Sequence, residues 1–466
     1  MFIFRVLFNQ FLVVYLGICI IFNAEVLLCQ MYLFTILFMV QGMLMSASAQ
    51  DKTLTLDEAI KLGIQNSKVL KLSQSKIDRA VSQYNQAKDA ILPSGKASFA
   101  YNRAEIPTNM LSLGPKTSFN LPSSADAYLG IVSLSEPILA GGKFKYAQQS
   151  TELLTKVAKL DADRDKDEIT YDVISSYYNL YKVLQSIKVV QQNLTSIDAQ
   201  IHQSQRFFEQ GIVTKNDVLR FQLQRANIQL NEIDLESNRK VINYDLNVML
   251  GLPESTVINI DQITEADHQV GPLSAYIDSA MANRQEVKQL LLQSQVAETN
   301  IKSVRANQLP TLAASLGGYY VDINANPIPK SGSYITPITL GVTFAWNFSS
   351  LWTNKNKVAE AKIQSEEVTI NQGVTSDDIR KEVNRSYESY MVALNKIKLL
   401  QTSIDQAGEN DKILESKYKS NIASATDRVD AETLLYQAQI SLELAKADAG
   451  LAYYNLLKST GKLNKQ

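Results

Sequence analysis

The sequence predicts a mainly α-helical fold with membrane-inserted β-strands, built by internal duplication and completed only in an oligomer. Three observations predict it. A repeat runs through the chain, its helical segments are too long for a globular core, and four strand segments carry an apolar face that nothing else covers.

The repeat is read first. Placing Pro93 on Pro310 superimposes "IKLGIQN...AILP" (60–93) on "IDSAMAN...NQLP" (277–310), matching Ile60, Asn66, Ala80 and Leu92 with Ile277, Asn283, Ala297 and Leu309. The offset is 217 there and 210 further on, where Val173, Tyr177, Leu184 and Ile187 match Val383, Tyr387, Leu394 and Ile397. At the same offset Asp217, Gln229, Tyr244, Leu246 and Gly251 match Asp427, Gln439, Tyr454, Leu456 and Gly461. The change of offset falls in "NRAEIPTNMLSLGPKTSFNLPSSAD", whose prolines, serines and asparagines mark an irregular connection. The expected organisation is a leader at 1–49, a first repeat at 50–270 and a second at 271–466.

The leader carries two apolar runs, 2–23 and 26–45, whose only charges are Arg5 and Glu25, followed by "SASAQ". Ala47 and Ala49 form an A-x-A site, so cleavage is expected before Gln50. Two runs are one more than export needs, which implies either a true start at Met31 or an unusually long leader. Cys19 and Cys29 both fall in this segment, and "LGIC" and "VLLC" lack the small residues that lipidation requires. The mature chain is therefore expected to hold together by packing, without disulfides or thiolate chemistry. It is 45% hydrophobic and 20% charged with a net charge of -1. With no basic run interleaved with aromatics, a nucleic-acid partner is excluded.

Each half reads helix, strand, loop, strand, long helix, turn, helix. Apolar residues recur at helical spacing, as in Ile174, Tyr177, Tyr178, Tyr181 and Leu184, which places one face in a packed layer. Uninterrupted helices at 143–208 and 355–420 would each be roughly 100 Å long, and those at 57–91, 218–250, 274–308 and 427–459 roughly 50 Å. Two short helices end to end match one long one, the arithmetic of an elongated coiled assembly.

The strand segments are 96–104, 127–138, 311–324 and 335–348, all longer than the usual ~5 to 6 residues. In the last, Ile338, Leu340, Val342, Phe344, Trp346 and Phe348 face one way, and small or polar residues face the other. Such a face suits lipid, with Tyr101, Tyr128, Tyr319, Tyr320 and Trp346 as interfacial aromatics. A sheet in lipid must close, and four strands are too few, so two, three or four chains would supply 8, 12 or 16.

In four stretches the chain resembles the TolC-like outer membrane efflux protein family: "LTLDEAIKLGIQNS" (54–67), "EPILAGGK" (136–143), "GIVTKNDVL" (211–219) and "AETLLYQAQISLELAKADAGLAYYNLLKSTGKL" (431–463). The resemblance implies a homotrimer with a 12-stranded barrel in the outer membrane, continued by a helical tunnel across the periplasm. It also implies docking to a periplasmic adaptor (membrane fusion) protein and an inner-membrane pump, without a cofactor. Residues 251–272 and the C-terminus would form a belt around the tunnel's equator.

The turns after the long helices carry the candidate site. Gly211 suits the left-handed residue that ends a helix, and Asn421 replaces it in the second copy. Thr214 with Asp217, and Ser424 with Asp427, fit capping patterns that start the next helix. Asp427 and Asp430 share a helix face, and threefold symmetry would gather six carboxylates into a ring that attracts cations. The resemblance assigns Asp427 and Asp430 to a gate at the periplasmic aperture. It assigns Tyr418 and Asp217 to a network that holds the entrance closed. The arginine of that network would fall at Ala423 and its hydroxyl partner at Asn216, so fewer or different ionic links are expected. Ile212, Val213, Ile422 and Ala423 are apolar for a free tip and are expected to meet the adaptor.

No catalytic motif is present: His202 and His268 are isolated, and no metal spacing or phosphate loop occurs. The expected function is a passive conduit for efflux or type I secretion, gated at its tip and driven by a partner pump. A periplasmic coiled-coil scaffold or adhesin stalk on an uncleaved leader is the rival, but it has no need of an apolar strand face at 335–348.

Overall fold

The structure, a computed structural model, describes residues 51–105, 107, 110–112, 114–120, 123–260, 270–326 and 334–464. The leader with Cys19 and Cys29, His268 and residues 261–269 of the expected belt lie outside the described residues.

The chain divides into two compact units. In the smaller, β1 (Asp51–Leu54) and β6 (Val257–Ile260) pair in parallel, Asp51 opposite Val257 and Leu54 opposite Ile260. Neither strand is expected from the sequence, since four residues are too few to show a period of two.

The larger unit holds the duplicated helices and the main sheet. Its first half runs α1 (Leu56–Asn66), α2 (Lys68–Asp89), β2 (Ser94–Glu105), β3 (Met110–Ser112), β4 (Ser118–Asn120), β5 (Ser124–Leu139), α3 (Lys143–Glu209) and α4 (Lys215–Leu250). Its second half repeats the order as α5 (Leu273–Asn283), α6 (Gln285–Ala306), β7 (Thr311–Asn326), β8 (Ile338–Ala345), α7 (Ser350–Thr353), α8 (Lys355–Lys419) and α9 (Ala425–Ser459). The small antiparallel hairpin β3–β4 belongs to the first half's irregular loop.

Helices α3 and α8 run unbroken for 67 and 65 residues, about 100 Å each. Both lack proline, and their only interior glycines, Gly373 and Gly408, lie in α8. No helix among the described residues is long and apolar enough to cross a membrane. Along α3 the buried side chains Val173, Ile174, Tyr177, Tyr178, Leu180 and Tyr181 form the stripe that the spacing predicts. Close approaches seat its neighbours: a Cβ on Gly63 of α1 would lie 2.6 Å from Val173, and one on Gly450 of α9 would lie 2.4 Å from Tyr178. Polar ties add direction, as Asp165 accepts from Ser73 of α2 at 2.6 Å and Asp161 from Gln289 of α6 at 2.7 Å.

The segments 57–91 and 274–308 are not single helices. Each breaks once, at Ser67 (ψ 119) and Arg284 (ψ 138), positions related by the 217 offset. Ser67 offers its hydroxyl to the Leu70 N–H at 3.2 Å, a local hydrogen bond that competes with the helix ladder. The Arg284 N–H still donates to the Ala280 carbonyl at 3.0 Å, and its guanidinium pairs with Glu286 at 2.7 Å and Glu382 of α8 at 2.5 Å.

The main sheet is antiparallel in the order β2-β5-β7-β8. Residues opposite one another share a face. The register aligns Leu134, Leu316 and Leu340 in one row, Val132, Gly318 and Ile338 in the next, and Phe99, Gly130 and Tyr320 beyond it. Tyr101 and Tyr128 follow with ring centroids 5.0 Å apart, and the face ends in Arg103, Asp126 and Asn324. The opposite face carries Lys96, Ser133, Gly317 and Thr339 in one row and Ser94, Ser135, Ser315 and Gly341 in another. From Leu312 to Tyr320 the rows match the ~9 to 11 residues of a tilted membrane strand and are apolar except for Glu136, which stands opposite Ala314. Among the described residues β2 and β8 each have one neighbour in this sheet, so both outer edges are open.

The strand expected at 335–348 is shorter. Ile335 forms only an isolated bridge to Val321, and β8 ends at Ala345. Trp346 and Phe348 therefore lie beyond the strand that was expected to contain them. The ladder's last partners are Thr311 and Ala345; the next bonding position is Leu309, whose N–H donates instead to the Ala306 carbonyl at the end of α6 at 3.1 Å. Trp346 instead donates its indole N–H to the Gln308 carbonyl at 3.1 Å, and Phe348 packs on Trp352 at 5.9 Å.

Candidate functional site

The two hairpins that end the long helices share one apolar core. Val189, Val190 and Ile197 of α3, Phe221 and Ile228 of α4, Tyr418 of α8, and Ala425 and Tyr436 of α9 are buried in it. The Tyr418 ring stands edge-on to fully buried Phe221 at 5.6 Å and lies 6.1 Å from Phe207. Such aromatic pairs add about 0.5–1.5 kcal/mol beyond burial.

Both turns follow the local chemistry of their residues. Gly211 has φ 73, and the next N–H, of Ile212, reaches back to the Phe207 carbonyl at 2.8 Å. Asn421 holds the equivalent conformation at φ 56, with Ile422 donating to the Lys417 carbonyl at 2.8 Å. The Asp217 carboxylate accepts from the Thr214 N–H at 2.8 Å and its hydroxyl at 2.7 Å. Asp427 does the same with Ser424 at 3.0 and 2.7 Å, and its own N–H donates to the Ser424 hydroxyl at 3.2 Å. The Ser424 hydroxyl and N–H hold the Asp427 carboxyl below the usual carboxylate range.

Asp430 is exposed and forms no hydrogen bond or ion pair among the described residues. It stands one turn along α9 from Asp427, which is also exposed. Tyr418 and Asp217 lie at the same end, but no hydrogen bond joins them. The buried hydroxyls of Tyr418 and Ser204 both lack a well-formed hydrogen bond. Burial pushes the Tyr418 phenol up; the nearby Ser204 hydroxyl draws it back, and the Asp217 charge adds to the rise.

Of the four apolar tip residues, Ile212 and Ile422 are free, at 42% and 75% exposure. Val213 and Ala423 are only half-exposed, and Ala423 packs against the hairpin core. The left-handed residue before Ile422 turns the chain back on the helix end, and Ala423 follows it inward, its N–H 3.3 Å from the Lys417 carbonyl.

Sequence reasoning missed a buried polar cluster one turn inside the second hairpin. Arg428, 4% exposed, pairs with Asp411 of α8. Glu432, 6% exposed, accepts from the Gln200 amide of α3 at 2.7 Å. At the other hairpin Arg225 of α4 pairs with Asp198 of α3 at 2.5 Å, half in solvent. The signal was in the repeat. At the 210 offset Arg428 stands on Val218, buried, and Asp411 stands on Ile201, which packs on the apolar core. Two apolar positions of the first hairpin have become an ion pair in the second.

His202 is exposed on α3. Among the described residues no group of three or more histidine, cysteine or acidic side chains is placed to hold a metal ion.

The comparisons with known proteins agree with this architecture. The family model for outer membrane efflux proteins matches residues 59–252 and 276–462. Outer membrane protein TolC of Escherichia coli is 19% identical over 407 residues, 85% of this chain and 80% of the relative. Outer membrane efflux protein BepC of Brucella suis is 20% identical, covering 71% of this chain and 72% of its own. The crystal structure of outer membrane protein VceC from Vibrio cholerae superimposes with a TM-score of 0.72 at 14% identity, over 87% of this chain and 96% of that one. With the duplicated long helices, the open four-stranded sheet and the family match over both repeats, this chain belongs to the outer membrane efflux protein family.

Proposed function

We propose that this protein is the outer membrane channel of a tripartite efflux or type I secretion system. It is a passive conduit and not an enzyme, assembled as a homotrimer and gated where the α3–α4 and α8–α9 hairpins meet. The observation that carries this reading is the open sheet. Its register aligns Phe99, Val132, Leu134, Leu316, Ile338, Leu340, Val342 and Phe344 on one face, and both its edges lack partners among the described residues. The apolar face is costly in water and the unpaired edges are costly in lipid, so further copies must close the sheet. Three copies give a 12-stranded barrel with Ile338, Leu340, Val342 and Phe344 toward lipid.

The helices support the same assembly. On α4, Leu219, Leu223, Leu230, Ile233, Val241, Tyr244 and Val248 are all exposed and fall on one helical stripe. On α8, Ile363, Ile370, Val374, Val392 and Leu399 do likewise. These exposed stripes suit neighbouring copies around a tunnel. At its entrance, Asp427 and Asp430 of three chains form an acidic ring, Tyr418 and Asp217 sit behind it, and Ile212 and Ile422 offer the adaptor its apolar contacts. Energy for transport comes from the inner-membrane pump.

Cell fractionation and planar-bilayer recording test the reading. The expected result is recovery in the outer membrane as a trimer that conducts. Recovery in the inner membrane with an intact N-terminus would instead establish a tethered scaffold.

A further inference from the structure

The buried cluster inside the second hairpin contains one cation and two acids. Arg428 pairs with Asp411, so its charge is largely offset before it acts on Glu432. Among the described residues, Arg428 and Asp411 are the charged groups that act on Glu432. Helix α3 presents Ser196 and Gln200, which are neutral. Its nearest acid, Asp198, pairs with Arg225 of α4. On α8, Glu415 pairs with Lys419 at 2.7 Å. A net negative charge in this place would be costly.

The hydrogen bonding shows where a proton would sit. The Gln200 Nε2 donates to Glu432 Oε2 at 2.7 Å, while the other oxygen of each side chain, Gln200 Oε1 and Glu432 Oε1, is buried without a partner. Buried acceptors left unpaired in this way call for an explanation. They are the remaining two atoms of a carboxylic acid–carboxamide pair. A proton on Glu432 Oε1 would supply the donor that these acceptors lack, as in the ring a carboxylic acid forms with a carboxamide.

We propose that Glu432 is a neutral acid in the resting hairpin, paired through its proton with the Gln200 amide, and that losing this proton loosens α9 from α3. The latch rests on the reading that these hairpins form the channel entrance. Burial pushes the Glu432 carboxyl up; Ser196, Arg428 and Gln200 oppose the rise, and Asp411 adds to it. A value raised in the packed state means that packing is favoured at low pH and weakened as pH rises through that value. Between the ordinary carboxylate range, where the loosened form titrates, and the raised value, the ratio of packed to loosened hairpins falls by up to about tenfold per pH unit, and above it the ratio levels off.

Infrared spectroscopy of the full trimer, with and without Glu432→Gln, reads the proton directly. The expected result is a neutral carboxylic-acid carbonyl band that is absent in E432Q and fades as pH is raised. A spin label at Ile422→Cys reads the hairpin. Its mobility should rise with pH in the native background and stay low in E432Q, whose amide cannot ionise. Absence of the acid band, or a label whose pH response is unchanged by E432Q, overturns the latch. Neither measurement needs conduction, so a trimer that never conducts counts against the conduit alone.

Discussion

Asn66 closes the end of α4 by donating its side-chain amide to the Leu250 carbonyl at 2.7 Å. The residue that follows, Gly251, turns left-handed at φ 68, and a Cβ there would lie 2.9 Å from the Asn66 side chain. Gly211 has a similar φ of 73 but open space where its Cβ would be. Gly211→Ala should therefore cost about 1 kcal/mol, from backbone conformation alone. Gly251→Ala adds a clash of about 1–3 kcal/mol to the same penalty. Denaturation midpoints of the detergent-solubilised protein should rank Gly251→Ala well below Gly211→Ala; equal losses would show that the Asn66 contact yields freely. Gly211→Asn should be nearly neutral, since Asn421 already holds this turn in the second copy.

The two faces of the sheet should respond oppositely to charge. Leu340→Lys places an ammonium among Leu134, Leu316 and their neighbours, a change costing about 2–4 kcal/mol near a bilayer midplane. Heat-resistant trimer in the outer membrane fraction should fall sharply. Thr339→Lys, one residue away, points to the row that already contains Lys96 and should assemble normally. If both variants assemble alike, the face assignment is wrong.

The two aspartates of α9 should separate in function. Asp427 is tied to Ser424, and Asp430 is free. Asp430→Asn should weaken cation block of the channel without moving the unfolding midpoint, whereas Asp427→Ala should lower both. Because the Asp427 carboxyl is held low, its capping contribution is complete above the ordinary carboxylate range. It is lost as pH falls through the lowered value. Acid titration of hairpin order should show this loss in the native protein and not in Asp427→Ala.

The exposed stripe on α4 should be an interface between copies. Leu223→Glu with Leu230→Glu removes two of its apolar anchors, which are 65% and 61% exposed in a single chain. Cross-linking should then show monomer in place of trimer while the helical circular dichroism is retained. Undiminished trimer would assign the stripe to another surface.

Much of the fold was legible because it is written in short-range patterns. The two long helices declared themselves by an absence of proline and a period near 3.6, and the hairpin turns by Gly211, Asn421 and the two capping pairs. The helix breaks at Ser67 and Arg284 were not legible. Neither residue is a breaker, and the partners around Arg284 include Glu382, 98 residues away. Trp346 and Phe348 continued a perfect alternation, yet the strand ended before them because the segment opposite turns into a helix end, where the Leu309 N–H donates to the Ala306 carbonyl. Periodicity describes one strand, while a ladder needs two.

The sequence by itself determined the duplication, the helix lengths, the turn chemistry and the existence of an apolar strand face. Each depends on residues a few positions apart or on comparison of the chain with itself. Only the tertiary structure decided which residues share a row of the sheet, since register is a relation between segments. It also decided that Arg428 and Glu432 are buried and that Asp411 and Gln200 are their partners. A charge on a helix reads as solvated until the helices packed around it are known, and here one of them, carrying Gln200, lies 232 residues from Glu432 in the chain.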